Sequence, residues 1–199
     1  MNKSILLIGV GGQGTILTSK ILTAGLVELG YDVKMSEIHG MSQRGGSVTT
    51  QIKYGEKVYS PTIGKGEADI IVAFEKAEAL RGLPFLKKGG TVVVDDRAIF
   101  PLSVLTGTEK YPDDVIEDLK ATVENVLVLK ATEIAEELGN VRAQNIVLLG
   151  SLVAYLGLEG IDWKNLVGRM VPAKAKEVNM KAFEAGFESY KANMKERAG

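Results

Sequence analysis

Apolar residues fall along this chain in two alternating rhythms. Ser4–Val10 is an almost unbroken apolar run that stops at a cluster of glycines, the pattern of a strand covered on both faces in a parallel sheet. From Thr15 the period changes: Ile16, Leu17, Ile21, Leu22, Ala24, Gly25 and Leu29 recur at helical spacing up to Gly30, a C-cap glycine. Tyr31–Met35 reads as a second strand, so the first stretch predicts strand, glycine turn, helix, strand, the order of a right-handed βαβ unit. Ser36–Gly46 reads as an irregular polar loop. Ser47–Lys53 alternates as a strand, with Glu56–Ser60 as its expected hairpin partner.

Further along, Ala68–Phe74 is another apolar run, followed by a short helix around Glu75–Leu80. Gly89–Gly90 interrupts before a β-branched strand, Thr91–Val94, that ends in Asp95–Asp96, and Asn125–Leu129 is the last strand expected. Ala131–Leu138 and Ala143–Leu156 read as helices. The second is apolar on most sides, which predicts burial deep in the core or at an interface. Lys174–Arg197 is a long, charged, amphipathic C-terminal helix. No repeat or linker divides the chain. The expected architecture is one α/β domain over residues 1–199: a Rossmann-like, mostly parallel sheet with helices on both faces.

Composition narrows the chemistry. With 24 Lys+Arg against 25 Asp+Glu in 199 residues, the formal net charge is -1, so no global basic field holds nucleic acid or an anionic membrane. The chain has no cysteine, which removes disulfides, thiolate nucleophiles and cysteine-ligated iron–sulfur clusters. Its single histidine, His39, would need a zinc site built otherwise from carboxylates, so no metal site is expected. No run is long and apolar enough to span a membrane. The first residues read as a core strand and lack a signal-peptide cleavage pattern, which predicts a cytoplasmic protein.

The 23 glycines matter by position. Gly9-Val10-Gly11-Gly12-Gln13-Gly14 satisfies G-x-G-x-x-G between a strand and a helix. Glycines there let backbone approach an anion, and the helix start offers unpaired N–H groups and the positive end of its dipole. An acidic residue about 20 positions further on would grip a ribose in a dinucleotide site, and Glu37 stands near that distance. Three readings stay open at this point: a dinucleotide site, another anion site, or a turn whose glycines only close the chain tightly. Gly64-Lys65 imitates the end of a P-loop, but Gly66 follows where Ser or Thr is required and Tyr59 occupies the first glycine position, so it reads as a plain connector.

The stretch from Glu37 to Ser47 gathers His39, Gln43, Arg44 and the glycines Gly40, Gly45 and Gly46 at the sheet edge where α/β proteins bind ligands. Arg44 can grip phosphate or carboxylate bidentately; the plainer reading is a solvated or ion-paired arginine. His39 can donate or accept a proton near neutral pH, or serve as a hydrogen-bonded structural residue.

On GVGGQG, EIHGMSQRGGSV and, more loosely, NIVLLGSLVAYLGL and VPAKAKEVNMKAFEAGFESY, the chain resembles the gamma-type domain of the 2-oxoacid:ferredoxin oxidoreductases, most of all its indolepyruvate branch. The resemblance implies a heteromeric enzyme that oxidatively decarboxylates an arylpyruvate, passing the acyl group to coenzyme A and the electrons to ferredoxin. It places thiamine diphosphate, magnesium and 4Fe-4S clusters on a large alpha subunit, leaving no tightly bound cofactor here. By position, Gly9, Gly11, Gly12, Gln13 and Gly14 would form an anion- or partner-facing turn. Glu37, Gln43, Gly45 and Gly46 would face the cofactor or acyl-CoA pocket, with Arg44 and His39 as the candidate catalytic residues.

Two alternatives accompany this reading: a free-standing NAD(P)- or FAD-binding oxidoreductase, and a non-catalytic partner module that retains the fold. On the leading reading the Asn145–Leu158 helix and the second glycine-rich loop are the surfaces expected to be covered by a partner, and the isolated chain is expected to form a homodimer to hide them.

Overall fold

The sheet is built around β1 (Lys3–Val10). In the computed structural model, which describes residues 2–39 and 46–198 (without the side chains of His39 and 193–198), the strands follow the order β2-β3-β1-β4-β5-β6 in one six-stranded sheet. The others are β2 (Asp32–His39), β3 (Ser47–Gly55), β4 (Ala68–Ala73), β5 (Leu86–Asp95) and β6 (Asn125–Leu129). β1, β4, β5 and β6 pair in parallel. β3 alone runs against its neighbours, antiparallel to both β1 and β2.

That inserted strand corrects the simple βαβ expectation. Helix α1 (Thr15–Glu28) leads from β1 to β2, yet β2 lies beyond β3 at the sheet's margin. It also extends to His39, further than the sequence suggested, because its edge position tolerates Ser36, Glu37 and His39 among apolar residues. Glu56–Ser60 forms no strand; Val58 instead folds in, its N–H donating to Asp32 at 2.9 Å. Gly89 and Gly90 lie within β5, beside a register shift against β4.

Alternation within the strands loads both faces. Ile5, Leu7, Ile70, Val72 and Val93 meet α1 and the C-terminal helices, whereas Leu6, Ile8, Ile71, Val92 and Val94 meet α2 (Lys76–Gly82) and α4 (Val115–Thr122). The short α3 (Leu102–Leu105) lies between them in sequence. α5 (Ala131–Glu137), α6 (Gln144–Leu156), α7 (Trp163–Met170) and α8 (Lys176–Ala198) complete the first face.

α6 is buried from Gln144 through Val153. Its cover is the chain itself: Gly150 and Gly186 let α6 and α8 touch backbone to backbone, since a Cβ at either would collide with a carbonyl oxygen of the other helix, and Ser151 donates to the Gly186 carbonyl at 2.7 Å. The expectation that a partner covers this helix is therefore corrected. Large apolar side chains lie exposed elsewhere, among them Phe100, Leu102 and Leu105.

Candidate functional site

β1 and β4 are neighbours whose following helices leave to opposite faces of the sheet, so the C-terminal ends of these strands form a topological switch point, where open α/β sheets leave a crevice. The first glycine turn sits there. Its glycines are not equivalent. A Cβ on Gly9 would lie 2.9 Å from the Phe74 Cβ, so Gly9 is dictated by packing. Gly11 donates its N–H to the Gly46 carbonyl at 2.8 Å. Gly14 has φ 78° and caps α1, where a Cβ would meet the Asn145 amide at 2.5 Å. Gly12, with φ 103°, has nothing within 4 Å of its missing Cβ. Gly12 thus leaves the turn open to an approaching group.

Gln13 turns inward. Its Oε1 accepts the Val10 N–H at 2.8 Å and its Nε2 donates to the Phe74 carbonyl at 2.6 Å. On the other side, Gln144 Nε2 donates to the same carbonyl at 2.8 Å and to Asp95 Oδ2 at 2.7 Å, while Gln144 Oε1 accepts from Arg97 at 3.1 Å. Asp95 is fully buried and also accepts from the Thr132 hydroxyl at 2.5 Å. Burial pushes its carboxyl above the ordinary aspartate range, and the bonds from Thr132 and Gln144 oppose that shift. The turn is thus wired to the ends of β4, β5 and α6.

The antiparallel β3 brings the second loop's stem to the same place. Ser47 pairs opposite Val10, and His39 opposite Val48. Glu37 is on β2 opposite Thr50. With β3 between β2 and β1, Glu37 stands two strand spacings, roughly 10 Å, from β1, a poor position for the ribose contact of a dinucleotide bound at the glycine turn. Gln43, Arg44 and Gly45, together with the His39 side chain, lie outside the described residues.

Beside the stem opens a cavity of about 550 Å³, lined by Val10, Gly46, α2 and the chain between Ile99 and Pro112. Its size suits a small ligand or a partner's side chains. Two acids at its margin escaped sequence reasoning. Glu75 is only 1% exposed; it caps α2 by accepting the Glu78 N–H at 2.9 Å, and it also accepts the Ile99 N–H at 3.2 Å and the Tyr111 hydroxyl. Burial and that contact with Glu75 raise the Tyr111 phenol above its ordinary range. Glu78, 3% exposed, accepts the Ser47 hydroxyl at 2.5 Å and Arg81 at 2.6 Å. The usable signal was two acids three residues apart immediately after a buried strand, where helix capping requires only one.

Among the described residues, no group of three or more His, Cys, Asp or Glu could hold a metal ion, and no helix is long and apolar enough to cross a membrane. The absence of cysteine leaves no thiolate donor for an iron–sulfur cluster.

Comparison with known proteins gives these features a context. A family model described as pyruvate ferredoxin/flavodoxin oxidoreductase matches residues 4–189. The indolepyruvate oxidoreductase subunit IorB of Pyrococcus horikoshii is 40% identical over 195 residues, covering 94% of this chain and 96% of that protein. Its counterpart in Archaeoglobus fulgidus is 39% identical, with 94% of each chain covered. Among solved structures, the gamma subunit of a keto/oxoacid ferredoxin oxidoreductase from Geobacter sulfurreducens superposes with a TM-score of 0.70 at 26% identity, covering 96% of this chain and 99% of that one. The 2-oxoglutarate:ferredoxin oxidoreductase of Magnetococcus marinus shares the fold at a TM-score of 0.72 and 20% identity, with 96% of this chain matching 31% of that one.

Proposed function

Because the chain belongs to the pyruvate ferredoxin/flavodoxin oxidoreductase family, we propose that it is the small subunit of an indolepyruvate-type ferredoxin oxidoreductase. The complex converts an arylpyruvate and coenzyme A to the aryl-acetyl-CoA and CO2, and two electrons leave to ferredoxin. The observation carrying this reading is the near full-length 40% identity to a subunit named for that enzyme.

This chain's residues do not fit the redox groups of such a reaction: it has no cysteine to ligate a cluster. Thiamine diphosphate, magnesium and the 4Fe-4S clusters are assigned to a large alpha subunit, and coenzyme A is a co-substrate. When bound there, thiamine supplies the carbanion chemistry of decarboxylation. The small subunit's part is to complete the pocket wall. Gly12 offers open backbone, while the Gly11–Gly46 bond fixes the turn against the start of β3. Gln13 and Gly14 hold the turn rigid, and Gly9 lets it pack. Glu37, His39, Gln43, Arg44 and Gly45 belong to the partner-facing side on this reading, Arg44 as the anion contact.

The dinucleotide alternative loses its main support through the separation of Glu37 from the glycine turn. The test is reconstitution. The isolated chain should show no turnover; arylpyruvate- and CoA-dependent ferredoxin reduction should appear when the large subunit is added, and Arg44→Ala should lower it. Micromolar binding of NAD(H), NADP(H) or FAD to the isolated chain, with turnover, would overturn the reading.

A further inference from the structure

Two consecutive residues, Gly46 just before β3 and Ser47 at its start, are tied down by bonds outside the sheet ladder. The Gly46 carbonyl accepts from the Gly11 N–H at 2.8 Å, and the Ser47 hydroxyl donates to Glu78 at 2.5 Å. Ser47 is exposed, whereas Glu78 is 3% exposed and further held by Arg81 at 2.6 Å. A buried carboxylate is a costly way to fill space, because burial penalises its charge unless donors surround it. An apolar side chain on α2 would fill the same volume without that cost. What a carboxylate adds is direction: it accepts a hydroxyl in one place, and so selects one position for the peptide before β3. The glycine turn, α2 and the stem of the second loop meet through this single side chain and the adjoining Gly11–Gly46 bond.

We propose that Glu78 is a positioning residue for the reaction. It acts through Ser47 to hold the Gly46–Ser47 peptide at a fixed distance from Gly11 and Gly12, so that the glycine turn and the start of β3 meet the partner subunit in one arrangement. The proposal rests on the functional reading above, which assigns these loops to the shared pocket.

The experiment uses the small subunit reconstituted with its large subunit, carrying Ser47→Ala, Ser47→Thr or Glu78→Gln. Ser47→Ala removes the donor from an exposed position. Its kcat should fall about ten-fold, since ångström-scale misplacement costs up to about 10²-fold, while KM for the 2-oxoacid stays within about two-fold. The complex should still co-elute. Ser47→Thr retains the hydroxyl and should restore kcat. Glu78→Gln retains an acceptor for Ser47 but loses the charge that holds Arg81, and should fall between the two. In the isolated chain, hydrogen exchange at the Gly11 amide should quicken in Ser47→Ala and return in Ser47→Thr.

A kcat for Ser47→Ala equal to wild type would overturn the proposal, as would a loss that Ser47→Thr does not repair. Absence of turnover in the wild-type pair would count against the functional reading alone. The clamp is then judged by Gly11 exchange, and unchanged exchange in Ser47→Ala overturns it.

Discussion

Gln13 and Gln144 donate to the same acceptor, the Phe74 carbonyl, at 2.6 and 2.8 Å. One amide belongs to the glycine turn and the other to the start of α6, so the carbonyl at the end of β4 joins two segments 131 residues apart, as the neighbouring Asn145–Gly14 contact also does. Gln13→Glu replaces a donor with a carboxylate facing that oxygen. It should destabilise the chain by about 2 kcal/mol, the scale of a spoiled buried hydrogen bond. Urea unfolding at neutral pH measures this. Unchanged stability would mean that Gln13 is free to serve a ligand.

Gly14 and Asn145 form a second such pair. Gly14→Ala forces a side chain into a left-handed backbone with φ 78° and against an amide nitrogen 2.5 Å away. The backbone conformation alone costs about 1–2 kcal/mol. In an Asn145→Ala background the collision is gone and only that cost should remain. A double-mutant cycle should therefore show favourable coupling of about 1 kcal/mol, and simple additivity would show that Asn145 yields freely.

Asp95 gives the fold a pH dependence of defined sign. Burial raises its folded pKa above the ordinary 3.8. Between that value and the raised one, the folded state holds more protons than the unfolded state, so this group's contribution is fully present below pH 3.8 and is lost as pH rises through the folded pKa. Asp95→Asn should remove this slope: the stability of wild type relative to the variant should fall between acidic and neutral pH. Denaturant titrations across that window, with a carboxyl-carbon NMR titration, test it; a midpoint below 3.8 would refute it.

Gly150 within α6 and Gly157 at its C-cap should respond differently. Gly157 is a left-handed C-cap with open space around its missing Cβ, so Gly157→Ala should cost about 1 kcal/mol. Gly150→Ala would drive a methyl group into the Phe183 carbonyl. The cost should reach about 3 kcal/mol, with faster hydrogen exchange along α8 by mass spectrometry. Equal costs would show that the helices separate without penalty.

Much of this fold is legible because buried parallel strands must be apolar on both faces. Ser4–Val10, Ala68–Phe74 and Asn125–Leu129 announce themselves in that way. The last residues of β2 do not, since an edge strand can carry a polar residue such as Glu37 without fully burying it. Helices α4 and α7 are harder to read because they are short and place few apolar residues, such as Ile116 and Leu119 or Trp163 and Leu166, against the core. At the site, the glycine turn was visible because its spacing is local. Ser47–Glu78 and Tyr111–Glu75 were not: their partners are 31 and 36 residues apart, and only the three-dimensional path of β3 and of the 99–112 segment brings them together.

The burial of α6 beneath α8 sets an order on synthesis. α6 is apolar nearly throughout, and the helix that shields it follows only after α7 and residue 175. A nascent chain that has emerged through α6 therefore displays an oily rod with no lid of its own until the later helix is made. During that interval the chain is open to capture by chaperones or by another unfinished copy. Shortening α8 should thus lower soluble yield in the cell, although α8, over its described residues, packs on other helices and not on the sheet's central strands.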